Sequence, residues 1–273
     1  EFGQRRLLRL NEGLGVHSEY NPHELYYAGP WEQFLAAPFF NAAPFSPRQV
    51  QRIAIIGLAG GTTARQATAV FGPIPIDGFE LDGEIIAVGR EYFGMNEPNL
   101  NAVAQDGRWG VSHSPHKYTL IGVDAYRPPY IPWHLTTREF FEEMRAHLTD
   151  DGVVAINVGR APADRRLIDG LAGTLRSVFP SVFVMDLPES FNSILYATVQ
   201  PSSWDNLYNN YASLAQASGT HPLLLQVLTR ALVNMQPTPQ SQVVFSDDRA
   251  PIEWLTHSLM ANFIFSGGVE ELR

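Results

Sequence analysis

The chain of 273 residues contains no cysteine. That excludes disulfides, thiolate nucleophiles and zinc–thiolate centres together. It does not fix a compartment, because a reducing cytosol and a cysteine-poor secreted protein both satisfy it. Lysine is nearly missing as well. Lys117 is the only one, and it lies outside any G-x-x-x-x-G-K-[ST] setting, so it does not read as a phosphate-loop lysine. Basic charge is short overall: 19 basic side chains face 28 acidic ones, for a net charge of −9. With no basic face to neutralise phosphates, a nucleic-acid partner is not expected. The acidic balance suits a cationic substrate, or solubility alone. No apolar run approaches the roughly 20 residues needed to cross a bilayer, so no membrane contact by this chain is expected. No signal-peptide pattern is read, and the expected location is cytoplasmic. What the chain does have is 45% apolar and 17% charged residues, the composition of one large globular domain with or without a small appendage.

The pattern changes near residue 48. Before it, Gln4 to Leu10 and Leu14 to Ser18 predict a hairpin turning at Asn11-Glu12-Gly13. Trp31 to Ala37 predicts a short helix, and Pro38 to Pro47 a connector. Residues 1–48 are thus expected as a small β-hairpin appendage, and residues 49–273 as one nucleoside-binding domain. From Arg52 onward strands and helices alternate. Strands are predicted at Arg52 to Gly57, Ile76 to Leu81, Asn101 to Gln105, Tyr118 to Val123 and Gly152 to Val158. Two closing strands follow at Val182 to Asp186 and Ser193 to Val199. Helices are predicted at Thr62 to Phe71, Gly83 to Phe93, Thr137 to Leu148, Asp164 to Phe179, Trp204 to Ala217 and Pro222 to Met235. Val243 to Glu253 reads as an irregular tail. This alternation implies a doubly wound, mostly parallel sheet of seven strands. In such sheets ligands sit beyond the carboxyl ends of the strands.

Those ends carry a consistent set of residues. After the first strand comes Gly57-Leu58-Ala59-Gly60-Gly61-Thr62. It is either a tight strand–helix connection or a turn that lets a ligand lie on bare backbone at a helix N-terminus. Its G-x-x-G-G spacing is not the dinucleotide fingerprint. After the second come Glu80 and Asp82, placed to accept ribose hydroxyls or to favour a helix start. After the third come Asp106 and Gly107, an acceptor for an adenine amino group or a turn. After the fourth comes Asp124, under the aromatic and proline-rich run Ala125 to His134. It is placed to meet a reacting group beneath a closing loop, or to cap that loop by an Asx-turn. Three acids and a glycine turn at successive strand ends indicate a nucleoside without a pyrophosphate cradle. That points to S-adenosylmethionine or a relative rather than NAD.

At these residues the sequence resembles the spermidine synthase family, the polyamine aminopropyltransferases. Ile53 to Gln66 looks like the family's I-G-G-G-D-G-G-x-x-R-E turn, Glu80-Leu81-Asp82 like its E-I-D, and Asp106-Gly107 like its D-G. Asp124 falls on the first aspartate of its D-S-S-D-P gate loop. Ser18-Glu19 and Trp31 to Ala37 echo its S/T-E-R-D-E and Y-H-E-x-x-A-H. The resemblance implies a class I methyltransferase-like Rossmann fold with a small N-terminal β-region. It implies decarboxylated S-adenosylmethionine, or S-adenosylmethionine itself, as co-substrate, with no metal. It assigns Glu80 and Asp82 to the ribose end, Asp106 and Gly107 to adenine, and Gly57, Ala59, Gly60 and Gly61 to the aminopropyl or methionine moiety. Asp124 becomes the base that takes a proton from an attacking amine, with Trp31, Tyr126 and Arg127 on the acceptor side. It implies an amine or other small-molecule acceptor and a homodimer. Asp247 to Glu253 is similar to a segment of spermidine synthase-like proteins often fused to membrane domains, which implies a full-length protein tethered to a membrane. Departures gather on one side. Arg127 stands at the gate's second aspartate, Gly60 at the glycine-turn aspartate, Trp31 at the tyrosine and Gln33 at the glutamate of Y-H-E. The nucleoside half of the pattern is kept and the polyamine half rewritten.

Two further readings stand beside this one. The same strand-end acids serve a methyltransferase acting on a non-polyamine acceptor, or a nucleoside-binding module without catalysis. His113 and His116 have Pro115 between them and no third ligand in view, so they read as surface loop residues. Ser190 and Ser193 lack a G-x-S-x-G elbow. Asp247, Asp248 and Glu253 line an acceptor pocket or form a solvated acidic turn.

Overall fold

A computed structural model describes residues 4–10, 15–126, 130–161, 164–188 and 190–265. The expected turn at Asn11-Glu12-Gly13 and the acceptor-side Arg127 lie outside these described residues. Arg6–Arg9 (β1) and Val16–Tyr20 (β2) pair antiparallel, with Leu8 opposite Ser18. Trp31–Phe40 then winds as a long 3-10 helix, buried along its whole length.

The alternating region follows. Ile53–Ile56 (β3), Thr62–Phe71 (α1), Ile76–Glu80 (β4), Gly83–Tyr92 (α2) and Leu100–Ala104 (β5) form its first half. Gly107–Ser112 (α3), Tyr118–Val123 (β6), Arg138–Ala146 (α4), Leu148–Gly159 (β7) and Arg166–Arg176 (α5) continue it. Ser181–Asp186 (β8), Asn192–Thr198 (β9), Trp204–Gln216 (α6), Pro222–Asn234 (α7), Met235–Gln236 (β10) and Ile252–Phe265 (α8) complete the described elements.

The sheet order is β10-β8-β9-β7-β6-β3-β4-β5. Strands β3 to β7 run parallel, and β9 is antiparallel to both β7 and β8. Since β3 pairs with β4 on one side and β6 on the other, the chain reverses its direction of travel there. That is the switch point where open α/β sheets bind ligands. The interior strands are apolar on both faces, as parallel strands covered by helices must be. The sheet is thus one strand wider than the expected seven, because the two residues after α7 add to the edge of β8. Two helices differ from expectation. Asp106-Gly107 opens α3 rather than a simple turn, and the expected irregular tail ends in α8.

Two apolar clusters lie on opposite faces of the sheet. One contains the 3-10 helix, with Phe40 stacked at 4.6 Å on Phe183 and 4.8 Å from Tyr196. Asn41 Nδ2 donates to the Asp151 carbonyl at 2.8 Å, and Asn210 Nδ2 donates to the carbonyls of Phe39 and Asn41. The segment 31–45 is therefore knitted into the same core as the sheet. Glu32, fully buried on this helix, accepts from Gly29 N–H at 2.8 Å and Gln66 Nε2 at 3.2 Å, with Arg230 3.6 Å away. Burial pushes its carboxyl up to about 7 against these stabilising partners.

Candidate active site at the carboxyl ends of the strands

The turn after β3 is shaped by close approach. Gly57 adopts φ +82°, and a Cβ there would lie 2.5 Å from the Asp124 carbonyl oxygen, so the ends of β3 and β6 meet only over a glycine. Both Gly57 and Leu58 N–H groups donate to the Phe79 carbonyl. Ala59, at φ +47°, is a non-glycine residue in left-handed space. Its N–H donates to Glu80 Oε2 at 2.9 Å, and Glu80 Oε1 accepts from Asp82 N–H at 3.3 Å. The acid expected at the ribose is therefore clasped to the turn before any ligand arrives. Gly60 N–H donates to Ser18 Oγ at 2.8 Å, and Glu19 and Thr62 exchange hydrogen bonds, so β2 docks on the far side of the turn. Gly60 and Gly61 are buried under Ser18, Phe93 and Met95, whereas Gly57 and Ala59 remain partly open. Of the expected bare backbone, these two positions are the ones solvent reaches.

The other acids serve caps as well. Asp82 caps α2 by accepting from Glu84 N–H at 2.8 Å. Asp106 caps α3 by accepting from Trp109 N–H at 3.0 Å, and its Oδ2 meets His134 Nε2 at 2.9 Å. Burial works to raise the Asp106 carboxyl, but the Trp109 N–H and His134 outweigh it and hold it below its ordinary value. Gly107 is required by Ile56, whose side chain would be 2.2 Å from any Cβ.

Asp124 follows β6 directly, and its N–H continues the ladder to the Ile56 carbonyl. Its Oδ1 accepts from Asn157 Nδ2 at 2.8 Å. Desolvation pushes its carboxyl up to about 6, opposed by the Asn157 hydrogen bond. Tyr126 donates to the Asn157 carbonyl at 3.1 Å, tying the loop after Asp124 to β7. Farther along that loop Tyr130 meets His257 of α8. Trp31 is buried edge-on to Tyr27, and its carbonyl lies 3.5 Å from Thr63 Oγ1 in the first turn of α1.

Sequence reasoning passed over three participants. Asn157 interrupts an otherwise apolar strand, V-V-A-I-N-V, and that anomaly was its available signal. His134 and Arg108 carried none, because their partners are distant in the chain. Arg108 makes paired hydrogen bonds to both Glu143 and Asp247, and Thr137 Oγ1 also donates to Asp247. Asp247 is thus spent on anchoring the tail to α3 and α4. Asp248 and Glu253 are exposed. His113 stacks on Trp109 at 4.1 Å. Among the described residues no group of three or more potential ligands is placed to hold a metal, and no helix is long and apolar enough to cross a membrane.

Comparison with known proteins bears on this arrangement. The sequence pattern of the spermine/spermidine synthase domain matches residues 40–205. A probable polyamine aminopropyl transferase of Bifidobacterium longum (strain NCC 2705) is 30% identical over 229 residues, covering 78% of this chain and 51% of the relative. The chain thus spans about half the length of that relative. Among solved structures, a probable spermidine synthase from Corynebacterium glutamicum ATCC 13032 superposes with a TM-score of 0.62 at 19% identity, covering 84% of this chain and 88% of that one. Human methyltransferase-like protein 13, in complex with SAH, superposes with a TM-score of 0.59 at 20% identity, covering 78% and 96%. These two likenesses establish a methyltransferase-like fold shared by different chemistries. The family pattern runs through more than half of the residues and through every strand end from Gly57 to Asp124, and by it the chain belongs to the spermine/spermidine synthase domain family.

Proposed function

We propose that the chain moves an aminopropyl group from decarboxylated S-adenosylmethionine to an amine acceptor, with Asp124 as the base. The observation that carries this reading is Asp124 itself. It is a carboxylate raised to about 6 and oriented by Asn157, on a residue whose main-chain carbonyl packs against Gly57 of the turn that Glu80 clasps. An amine is protonated near neutral pH and must lose that proton to become a nucleophile. A carboxylate with a raised value takes the proton near neutrality and, once charged, attracts the ammonium to the site. The amine nitrogen then bonds to the propyl carbon beside the sulfonium as the C–S bond breaks. The bonding pair stays on sulfur, leaving methylthioadenosine. Holding amine, carbon and sulfur in line supplies much of the acceleration. In this reading Glu80 takes the ribose hydroxyls, Asp106 the adenine amino group, and the partly open Gly57 and Ala59 the transferred chain. Segment 1–48 contributes Ser18 behind the turn and Trp31 near α1. The family name and the curated relative favour aminopropyl over methyl transfer.

Calorimetric titration with decarboxylated S-adenosylmethionine, S-adenosylmethionine and methylthioadenosine tests the donor, and mass spectrometry of amine products tests the transfer. Tighter binding of the decarboxylated donor and a product heavier by one aminopropyl group are expected. Preference for the carboxylated donor with methylated product would establish the methyltransferase reading instead. Binding of none of the three would leave a module without this activity.

A further inference from the structure

The carboxylate of Asp124 is reached by a chain of contacts that begins on the other face of the sheet. Strand alternation puts the Asn157 side chain on the face of Val153 and Ala155, which belong to the cluster containing the 3-10 helix. There its Nδ2 donates to Asp124 Oδ1 at 2.8 Å. Tyr126 packs instead against the opposite cluster, the one that holds Ile156 and Val158. The paired register of β6 and β7 ends with Val123 opposite Ile156. One residue farther, the Asn157 carbonyl accepts from the Tyr126 hydroxyl at 3.1 Å, and a Cβ on Gly159 would lie 3.8 Å from that same oxygen. A side chain thus continues the tie between the two strands after the loop backbone has left the sheet. A serine, which the D-S-S-D-P pattern has at this position, is a much shorter side chain.

The two hydrogen bonds close a ring that runs from Asp124 along the chain to Tyr126, across to Asn157, and back to the Asp124 carboxylate. The ring matters because little else aims the Asn157 amide. Its Oδ1 is buried without a partner, so the direction of Nδ2 depends on where the Asn157 main chain is held. Burial pushes the Tyr126 phenol well above its ordinary value, and the Asp124 charge adds to the push. The hydroxyl therefore keeps its proton and stays a donor. Charge on the surrounding elements is committed elsewhere. The turn Gly57 to Gly61 bears none, and Glu80 is held by Ala59. Arg65 on α1 faces Tyr27, Arg160 and Arg165 face Asp186, and Glu32 on the 3-10 helix faces Arg230.

We propose that Tyr126 is a positioning residue for the transfer: it holds the Asn157 main chain from the opposite face of the sheet and so aims the Asn157 amide at Asp124. This rests on the transfer proposed above. The Tyr126 hydroxyl is spent on β7 rather than on the acceptor, and its effect on the base passes through Asn157.

Steady-state and single-turnover kinetics across pH, with decarboxylated S-adenosylmethionine as donor and 1,4-diaminobutane as acceptor, test it. Tyr126→Phe keeps the ring and removes the hydroxyl. It should lower kcat about tenfold, the scale of a small misplacement of a reacting group, and leave KM for the amine and methylthioadenosine affinity within about twofold. The Asn157 hydrogen bond favours the charged carboxylate, so loosening it raises the Asp124 value and moves the acid limb of the rate to higher pH. Asn157→Leu, which removes the donor, should move that limb up by about one pH unit, and Tyr126→Phe by part of that. In the double variant the limb should stay where Asn157→Leu alone puts it, because the two residues act in series. Tyr126→Phe alone decides the matter if Asn157→Leu does not fold. A Tyr126→Phe enzyme with a wild-type kcat and acid limb, or a double variant whose limb moves by the sum of the single shifts, overturns the inference while leaving aminopropyl transfer intact. A raised KM with unchanged kcat in Tyr126→Phe would place the hydroxyl on the acceptor and overturn it as well. A wild type that transfers no aminopropyl group overturns the proposed transfer itself, and this inference with it.

Discussion

The two sides of the site are built differently. On the side of β3, β4 and β5, the polar groups are already satisfied by neighbouring backbone: Glu80 holds Ala59 and Asp82, Asp82 caps α2, and Asp106 caps α3. On the side of β6, β7 and the 3-10 helix, polar groups are buried and short of partners. Asp124 has Asn157 alone, Asn157 Oδ1 has nothing, and Gln33 has nothing. A preassembled surface suits a ligand whose shape is constant, such as a nucleoside. Buried polar groups left short of partners carry a standing cost that the preassembled side avoids. The sequence keeps its family pattern at Glu80 and Asp106 and departs from it at Trp31 and Gln33 on the second side, and at Gly60 within the turn itself.

The largest expected effect probes the under-satisfied side. Asp124→Asn should lower turnover about 10²–10⁴-fold, the usual contribution of a positioned base, while calorimetry shows methylthioadenosine binding within a few-fold of wild type. The wild-type single-turnover rate should rise with pH through about 6 as Asp124 becomes a carboxylate. That acid limb should be missing in the variant, and unchanged turnover would remove Asp124 from the chemistry.

Next in size is Glu32, which holds the helix that carries Gln33. Its carboxyl is raised from 4.5 to about 7, so the folded state is favoured below the unfolded value and loses that advantage as pH rises through 7. The loss is on the order of 3 kcal/mol. Melting temperature should therefore fall between pH 5 and pH 8 in the wild type and much less in Glu32→Gln. Parallel profiles in the two proteins would contradict the assigned cause.

On the preassembled side, Glu80→Ala should weaken nucleoside binding by about tenfold to a hundredfold, since charge-assisted hydrogen bonds are worth about 1.5–3 kcal/mol. Titration with methylthioadenosine measures it, and unaltered affinity would break the comparison on that side. Asp82→Ala should cost about 1 kcal/mol of stability through loss of the α2 cap, read by urea denaturation without ligand. The smallest effect belongs to His134→Ala. Asp106 keeps the Trp109 N–H, and the His134 pair is partly exposed, so nucleoside affinity should shift by less than about 1 kcal/mol. A larger loss would show that the loop bearing His134, rather than the cap, sets the position of Asp106.

The legibility of the chain follows the same division. Helix α1 and strand β6 occupy the residues expected of them, because apolar periodicity and the flanking glycine turn are local signals. Helix α3 was missed, since six residues containing Gly107 and Gly110 have little helical propensity of their own. It forms because Asp106 caps it and because both glycines press against Ile56 and Phe79. Helix α8 was missed because its apolar residues lie on every side: Ile252, Leu255 and Leu259 are buried while Trp254 and Met260 are exposed. Within the site, Gly57, Glu80, Asp106 and Asp124 were readable as strand-end residues. Ser18, Asn157 and His134 act across separations of 42, 33 and 28 residues, which no local pattern records.

The amino-acid sequence alone determined the alternating sheet and the acids at its rim, because strand periodicity and turn chemistry depend on near neighbours. Tertiary structure alone decided which of those groups are used up and which stay open. Only folding lays β2 behind the glycine turn, spends Asp247 on Arg108, and leaves the Gln33 amide buried without a partner. Hydrogen-bond satisfaction is a property of what surrounds a group in space, and chain order does not fix it.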